Sequence, residues 1–200
     1  MKLIIFICTA FIAVSFVRFL GNKSMPETSV LSEDIPTINI EPKQMGFVPQ
    51  IGQKKTNTQA YINRFKLVAV SEMKKFGIPA SITLAQGILE SANGNSELSR
   101  KHNNHFGIKC KSRSQKCVTY ADDMPDDQFR VFKSAWYSYR EHSILLSSSP
   151  RYRSLFKLKK TDYRGWAKGL QKCGYATSKR YAKSLIRIIE KNNLQRFDNL

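Results

Sequence analysis

The chain has 200 residues, which suits one domain with appendages and leaves no room for several. It carries 33 Lys and Arg against 15 Asp and Glu, for a net charge of +18, and residues 101–200 alone hold 22 basic and 8 acidic side chains. Such an excess points to a polyanionic partner (nucleic acid, a membrane surface or an anionic envelope polymer), with a plain basic surface as the other reading.

Lys2 precedes an uncharged run from Leu3 to Val17, broken by Arg18 and followed by Phe19-Leu20-Gly21. A positive start and an apolar stretch mark residues 1–21 as an export segment. No small-x-small cleavage site stands before Gly21, and the run is shorter than the ~18–20 residues of a comfortable membrane span unless Arg18 snorkels. A cleaved signal peptide and an N-terminal membrane anchor both stay open. Either expects the protein to be exported to the periplasm or cell envelope, and argues against nucleic acid as the partner. Cys8 lacks the small residues that precede a lipidated cysteine. Residues 22–56 hold Pro26, Pro36, Pro42 and Pro49 among polar residues without periodicity, the composition of a disordered linker.

The domain is expected over 57–200, long enough for a proper core. Ile62, Phe65, Val68, Ala69 and Met73 fall at helical spacing, and Gly77 ends that helix. Pro79 suits a first helical position, opening an apolar helix that runs to Glu90, with Gly94 as a terminator. Periodicity then changes. Phe106–Cys110, Cys117–Tyr120 and Gln128–Phe132 are short, alternating and rich in aromatic or β-branched residues, which predicts an antiparallel β-lobe of two or three strands. Helices resume over 134–147, 151–156, 161–172 and 178–192, with Thr161 and Ser178 as N-caps and Gly174 closing the third of them. The fold class is therefore α+β, mostly helical, with a small β-hairpin lobe. Cys110 and Cys117 enclose a short basic loop and are able to bridge in an oxidising compartment, leaving Cys173 as a small apolar residue. His102 and His105 lie near these cysteines, but no paired CxxC spacing supports zinc, so neither metal nor cofactor is expected.

Glu90 carries the chemistry. It ends an apolar helix beside a Gly/Asn turn, where the helix's negative end and the loss of water both favour the protonated acid. That is how a Glu becomes a proton donor near neutral pH, and glycoside hydrolysis needs one. The commoner fate of such a Glu is simply to face water. Asp122, Asp123, Asp126 and Asp127 form the one dense acidic cluster of the basic half, either a second carboxylate or a solvated turn. Trp136, Tyr137, Tyr139 and Trp166 are candidates for sugar stacking, although aromatics at helical spacing more often pack a core.

The segment Leu84-Ala85-Gln86-Gly87-Ile88-Leu89-Glu90-Ser91, then Gly94, then Asn103-Asn104-His105-Phe106-Gly107-Ile108-Lys109, resembles the core signature of the glucosaminidase family of peptidoglycan hydrolases (glycoside hydrolase family 73, with the flagellar muramidase domain and several autolysins). Gly174-Tyr175-Ala176-Thr177 with Tyr181-Ala182 and Leu185 matches a second motif of that family, so the likeness spans roughly 58 to 195. The resemblance implies a lysozyme-like fold and an exported enzyme that cleaves the β-1,4 bond after N-acetylglucosamine in peptidoglycan glycan strands. It assigns the general acid to Glu90 and puts Tyr175 near the catalytic centre. It also implies a β-lobe carboxylate as base, for which Asp122 or Asp123 is the candidate. The family's usual Glu shortly after a Thr is absent here, since Thr119-Tyr120-Ala121-Asp122 departs from it. Without that base, the substrate's 2-acetamido group takes its place. Asn103, Asn104 and Phe106 would shape the cleft floor, or Asn104 would only satisfy the turn backbone. His105 falls at a variable position and is given no catalytic role. The alternative from another class is a catalytically silent peptidoglycan-binding envelope protein with the same fold.

Overall fold

A computed structural model describes residues 57–111, 115–120 and 126–200, all within one unit. The export segment, the linker, Asp122 and Asp123 lie outside the described residues.

Helix α1 (Thr58–Phe76) begins where Asn57 Oδ1 accepts from the Ala60 N–H at 2.8 Å, and ends at Gly77, whose φ of 80° only glycine adopts without cost. The five apolar residues expected on one face are all buried. Helix α2 (Ala80–Glu90) is mostly apolar and lies in the core: every residue from Ala80 to Ile88 is buried. Pro79 sits one position earlier than expected, at the N-cap. The chain's own C-terminus supplies the missing cap. Asp198, in a 3-10 segment at Leu194–Asn199, accepts from Ser81 N–H at 2.8 Å and from Ser81 Oγ–H at 2.6 Å. Gly87 is required by close approach, since a Cβ there would meet Tyr61 Oη at 2.6 Å and Tyr139 Oη at 2.9 Å.

Beyond α2, Ala92, Asn93 and Gly94 all take positive φ and turn the chain sharply. A short helix that the pattern does not reveal follows: α3 (Glu97–His102), capped by Ser96 and closed by Asn103 in the left-handed region. The β-lobe is one antiparallel pair, β1 (Cys117–Tyr120) on β2 (Asp127–Arg130), in the register Cys117 to Arg130 and Tyr120 to Asp127. The expected strand at 106–110 shrinks to an isolated bridge between Lys109 and Phe129. Its backbone still joins β2, through Cys110 N–H to Gln128 O and Arg130 N–H to Ile108 O. Cys110 and Cys117 are disulfide-bonded, and Cys173 is a free cysteine.

Helix α4 (Ala135–Ser148) starts after Ser134, and a 3-10 segment at Pro150–Lys157 replaces the α-helix expected there. Helix α5 (Tyr163–Lys172) is capped by Asp162, which accepts from Gly165 N–H at 2.8 Å, and not by Thr161. Gly174 closes it with φ 69°, as the Tyr175 N–H returns to Leu170 O. Helix α6 (Tyr181–Lys191) starts three residues later than expected; the Ser178 side chain and carbonyl shape the turn before it. Among the described residues the architecture is mostly helical with one small antiparallel sheet, as the sequence led us to expect.

Candidate active site

Glu90 is the last residue of α2, half-buried, and its Oε1 accepts from the Tyr181 hydroxyl at 2.9 Å. Two separated stretches of sequence therefore meet at this carboxylate, because the first residue of α6 packs across the end of α2. Tyr175, six residues before Tyr181, stacks on its ring with centroids 5.5 Å apart and planes 22° apart. Burial, and then the Glu90 charge, hold both tyrosine hydroxyls well above the ordinary phenol range. Both are neutral donors and acceptors at any working pH.

Behind this pair lies a buried polar chain that sequence reasoning missed. Gln86 Nε2–H donates to Tyr181 Oη at 3.0 Å, and Gln86 Oε1 lies 3.1 Å from His142 Nε2. Gln86 and His142 are completely buried, and burial pushes the imidazole down to about 3, so it is neutral. Gln86 stands four residues before Glu90, on the same helix face, and that spacing was the available signal.

The expected substrate-binding residues separate into different roles. Asn104 is a backbone satisfier: Nδ2 donates to Ile108 O and Arg130 O, while Oδ1 accepts from Ile108 N–H and Phe106 N–H. It stitches the turn after α3 to β2, and at 1% exposure has no surface left for a sugar. Asn103 is half-buried and donates to Phe132 O at 3.0 Å. Phe106 is buried and stacks on His142 with centroids 4.2 Å apart, so it supports the polar chain from beneath rather than lining a surface. Trp166 is wholly buried, edge-on to Phe156, which corrects the expectation that it stacks on sugar. Trp136 is partly buried with the Arg140 guanidinium 4.7 Å from its ring centroid, while Arg140 forks onto the buried Glu72. Tyr139 and His105 are core: Tyr139 Oη–H donates to Tyr61 Oη, which lies 3.0 Å from His105 Nδ1. Asp127 pairs with Lys109 at 2.9 Å. Among the described residues no group of three or more His, Cys, Asp and Glu side chains is arranged to hold a metal ion.

Chemically, the arrangement offers one carboxyl group at the end of a buried helix, oriented by a tyrosine and flanked by a second. The family model of Glucosaminidase, described as mannosyl-glycoprotein endo-beta-N-acetylglucosaminidase, matches residues 66–194. The exo-glucosaminidase LytG of Bacillus subtilis (strain 168) is 30% identical over 155 residues, 71% of this chain and 54% of that protein. A probable N-acetylmuramidase of Lactococcus lactis subsp. lactis is 29% identical over 163 residues, 75% of this chain and 37% of that protein. The chain thus spans about half or less of the length of these relatives. Among solved structures, the peptidoglycan hydrolase of Sphingomonas sp. A1 shares 30% identity, covers 70% of this chain and 92% of its own, and superposes with a TM-score of 0.60.

Proposed function

Because the chain belongs to the glucosaminidase family, we propose that it is an exported peptidoglycan hydrolase that cleaves the β-1,4 bond after N-acetylglucosamine, with Glu90 as general acid. The observation that carries this reading is the carboxyl of Glu90, closing a buried helix and held at one oxygen by Tyr181 beside Tyr175.

In the proposed reaction the protonated Glu90 gives its proton to the glycosidic oxygen as the bond from that oxygen to the anomeric carbon breaks. The positive charge left on the sugar is met in one of two ways. A β-lobe carboxylate, Asp122 or Asp123, takes a proton from the attacking water. Alternatively the oxygen of the substrate's own 2-acetamido group closes on the anomeric carbon, and water then opens that ring. The neutral hydroxyl of Tyr175 suits a hydrogen bond to the acetamido group.

Charge supports a wall-bound partner. Arg164, Lys168 and Lys172 on α5 and Lys183, Arg187 and Lys191 on α6 are all exposed, each set at four-residue spacing on the face opposite its helix's buried residues. We read these two rows as the surface that holds the enzyme on a net-anionic wall polymer. Residues 1–21 would deliver the enzyme to the envelope, either released or anchored.

The relative named as a probable N-acetylmuramidase favours one competing reading, cleavage of the other glycosidic bond. The test is to digest purified peptidoglycan, reduce the products with borohydride and identify the new reducing end by mass spectrometry. Reduced N-acetylglucosamine is the expected result. Reduced muramic acid moves the cleavage to the other bond, and binding without cleavage supports the silent scaffold.

A further inference from the structure

The hydrogen bonds leading to Glu90 run in one direction, and that direction is fixed at their far end. His142 Nδ1 is buried and has no hydrogen-bond partner among the described residues. A proton there would be an orphaned buried N–H, the rarer and costlier kind of unpaired group, so the neutral ring carries its hydrogen on Nε2. Nε2–H then donates to Gln86 Oε1, which turns the amide so that its Nε2 faces Tyr181. An amide nitrogen only donates. Tyr181 Oη therefore accepts from Gln86, and its single proton goes to Glu90 Oε1.

We propose that Gln86 is a positioning residue for glycosidic cleavage: held in one orientation by His142, its amide makes Tyr181 donate to Glu90 Oε1 and so keeps the acid's transferable proton on Oε2. With the amide reversed, Tyr181 would donate back to Gln86 and accept from Glu90. The acid proton would then sit on Oε1, facing the Tyr181 hydroxyl, instead of being available to a substrate. Phe106, stacked on the His142 ring, fixes the plane in which that imidazole donates. The inference rests on Glu90 being the general acid and adds what sets its proton's position.

The decisive variant is Gln86→Glu in the full chain. At low pH the introduced carboxyl is protonated, and its O–H replaces the amide N–H toward Tyr181. Once ionised it only accepts, and Tyr181 turns away from Glu90. The rate at about pH 5 relative to that at about pH 7 is expected to be about tenfold larger in the variant than in the parent, with the fold followed by near-ultraviolet circular dichroism at both pH values. A rate lowered by the same factor at every pH overturns the proposal and leaves Gln86 as packing. If the variant does not fold at neutral pH, Tyr181→Phe decides instead. The proposal expects kcat to fall about tenfold with KM unchanged, and the alkaline limb to move up because the Glu90 carboxylate loses a donor. An unchanged kcat and pH profile overturns it. Glu90→Gln is measured in parallel: retained cleavage retires the acid assignment and this inference together, whereas a dead Glu90→Gln beside a uniformly scaled Gln86→Glu removes this inference alone.

Discussion

The helical side of this domain and its β-lobe are held together by different means. On the helical side, Glu90 ends a helix buried through nine consecutive residues, and its partner Tyr181 is hydrogen-bonded in turn to the buried Gln86 and, through it, to the buried His142. On the β-lobe side the frame is two strands of four residues, too little to be stable alone. That hairpin is tied to the rest of the domain by the Cys110–Cys117 bridge and by Asn104, and its own Phe129 is buried. The helical side thus supplies rigidity, and the lobe supplies a scaffold stitched by a few polar bonds. The proposed acid, whose proton must be well placed, stands on the first kind of support.

The sharpest way to break this comparison is to remove a carboxyl group from each side. Glu90→Gln is expected to lower the cleavage rate about 10³-fold while the thermal melt stays nearly unchanged. Asp122→Asn and Asp123→Asn, made separately, are expected to cost less. A loss of about 100-fold in one of them identifies that residue as the base. If both keep most of their rate, the acetamido route is supported and the lobe's role reduces to shape. Should either lobe variant lose more than Glu90→Gln, the assignment of chemistry to the helical side is wrong.

A second prediction separates stitching from binding. Asn104→Ala would strip partners from the carbonyls of Ile108 and Arg130 and from the amides of Ile108 and Phe106. Leaving buried backbone groups unpaired is expected to cost about 3 kcal/mol, read as a lower urea midpoint. If Asn104 bound sugar instead, the midpoint would hold and KM would rise.

The sequence disclosed the helical side well because its cues are periodic. The buried stripe of α1 and the mostly apolar run of α2 stand whichever residue caps them. Where neighbouring residues compete, the reading slips: Asp162 and Thr161 are both competent caps, and only the turn geometry chooses Asp162. Helix α3 was invisible because six residues, mostly polar, show no apolar period, although Ser96 before Glu97 was a cap in plain view. Trp166 illustrates a deeper limit. Its spacing favoured a core helix without excluding a sugar platform, and its complete burial against Phe156 shows that it is core. Asn104 is similar, since an amide's partners are backbone atoms that no side-chain pattern records. Gln86 and Tyr181 both belong to the two sequence motifs, but that the motifs meet at Glu90 is a tertiary fact.

The smallest expected effect tests how α2 is held at its far end, opposite Glu90. Asp198 reaches the helix's N-terminus, where the positive end of the helix favours a carboxylate, yet burial pushes its carboxyl up from 3.8 to about 6 against the Ser81 hydrogen bonds. With the folded value above the unfolded one, the folded chain binds more protons between those two values. This group's contribution to stability is then fully present below pH 3.8 and is lost as pH rises through about 6. Allowing for relaxation, the change is about 1–2 kcal/mol. Asp198→Asn keeps an acceptor for the Ser81 N–H and gives Ser81 Oγ a donor, but cannot titrate. The difference in melting temperature between parent and variant should therefore drift by a few degrees across that window in the variant's favour as pH rises. Parallel curves, or a drift the other way, would mean that the helix end and the two hydrogen bonds outweigh burial. In that case α2 is held at its start by an ionised carboxylate, which the positive end of the helix favours.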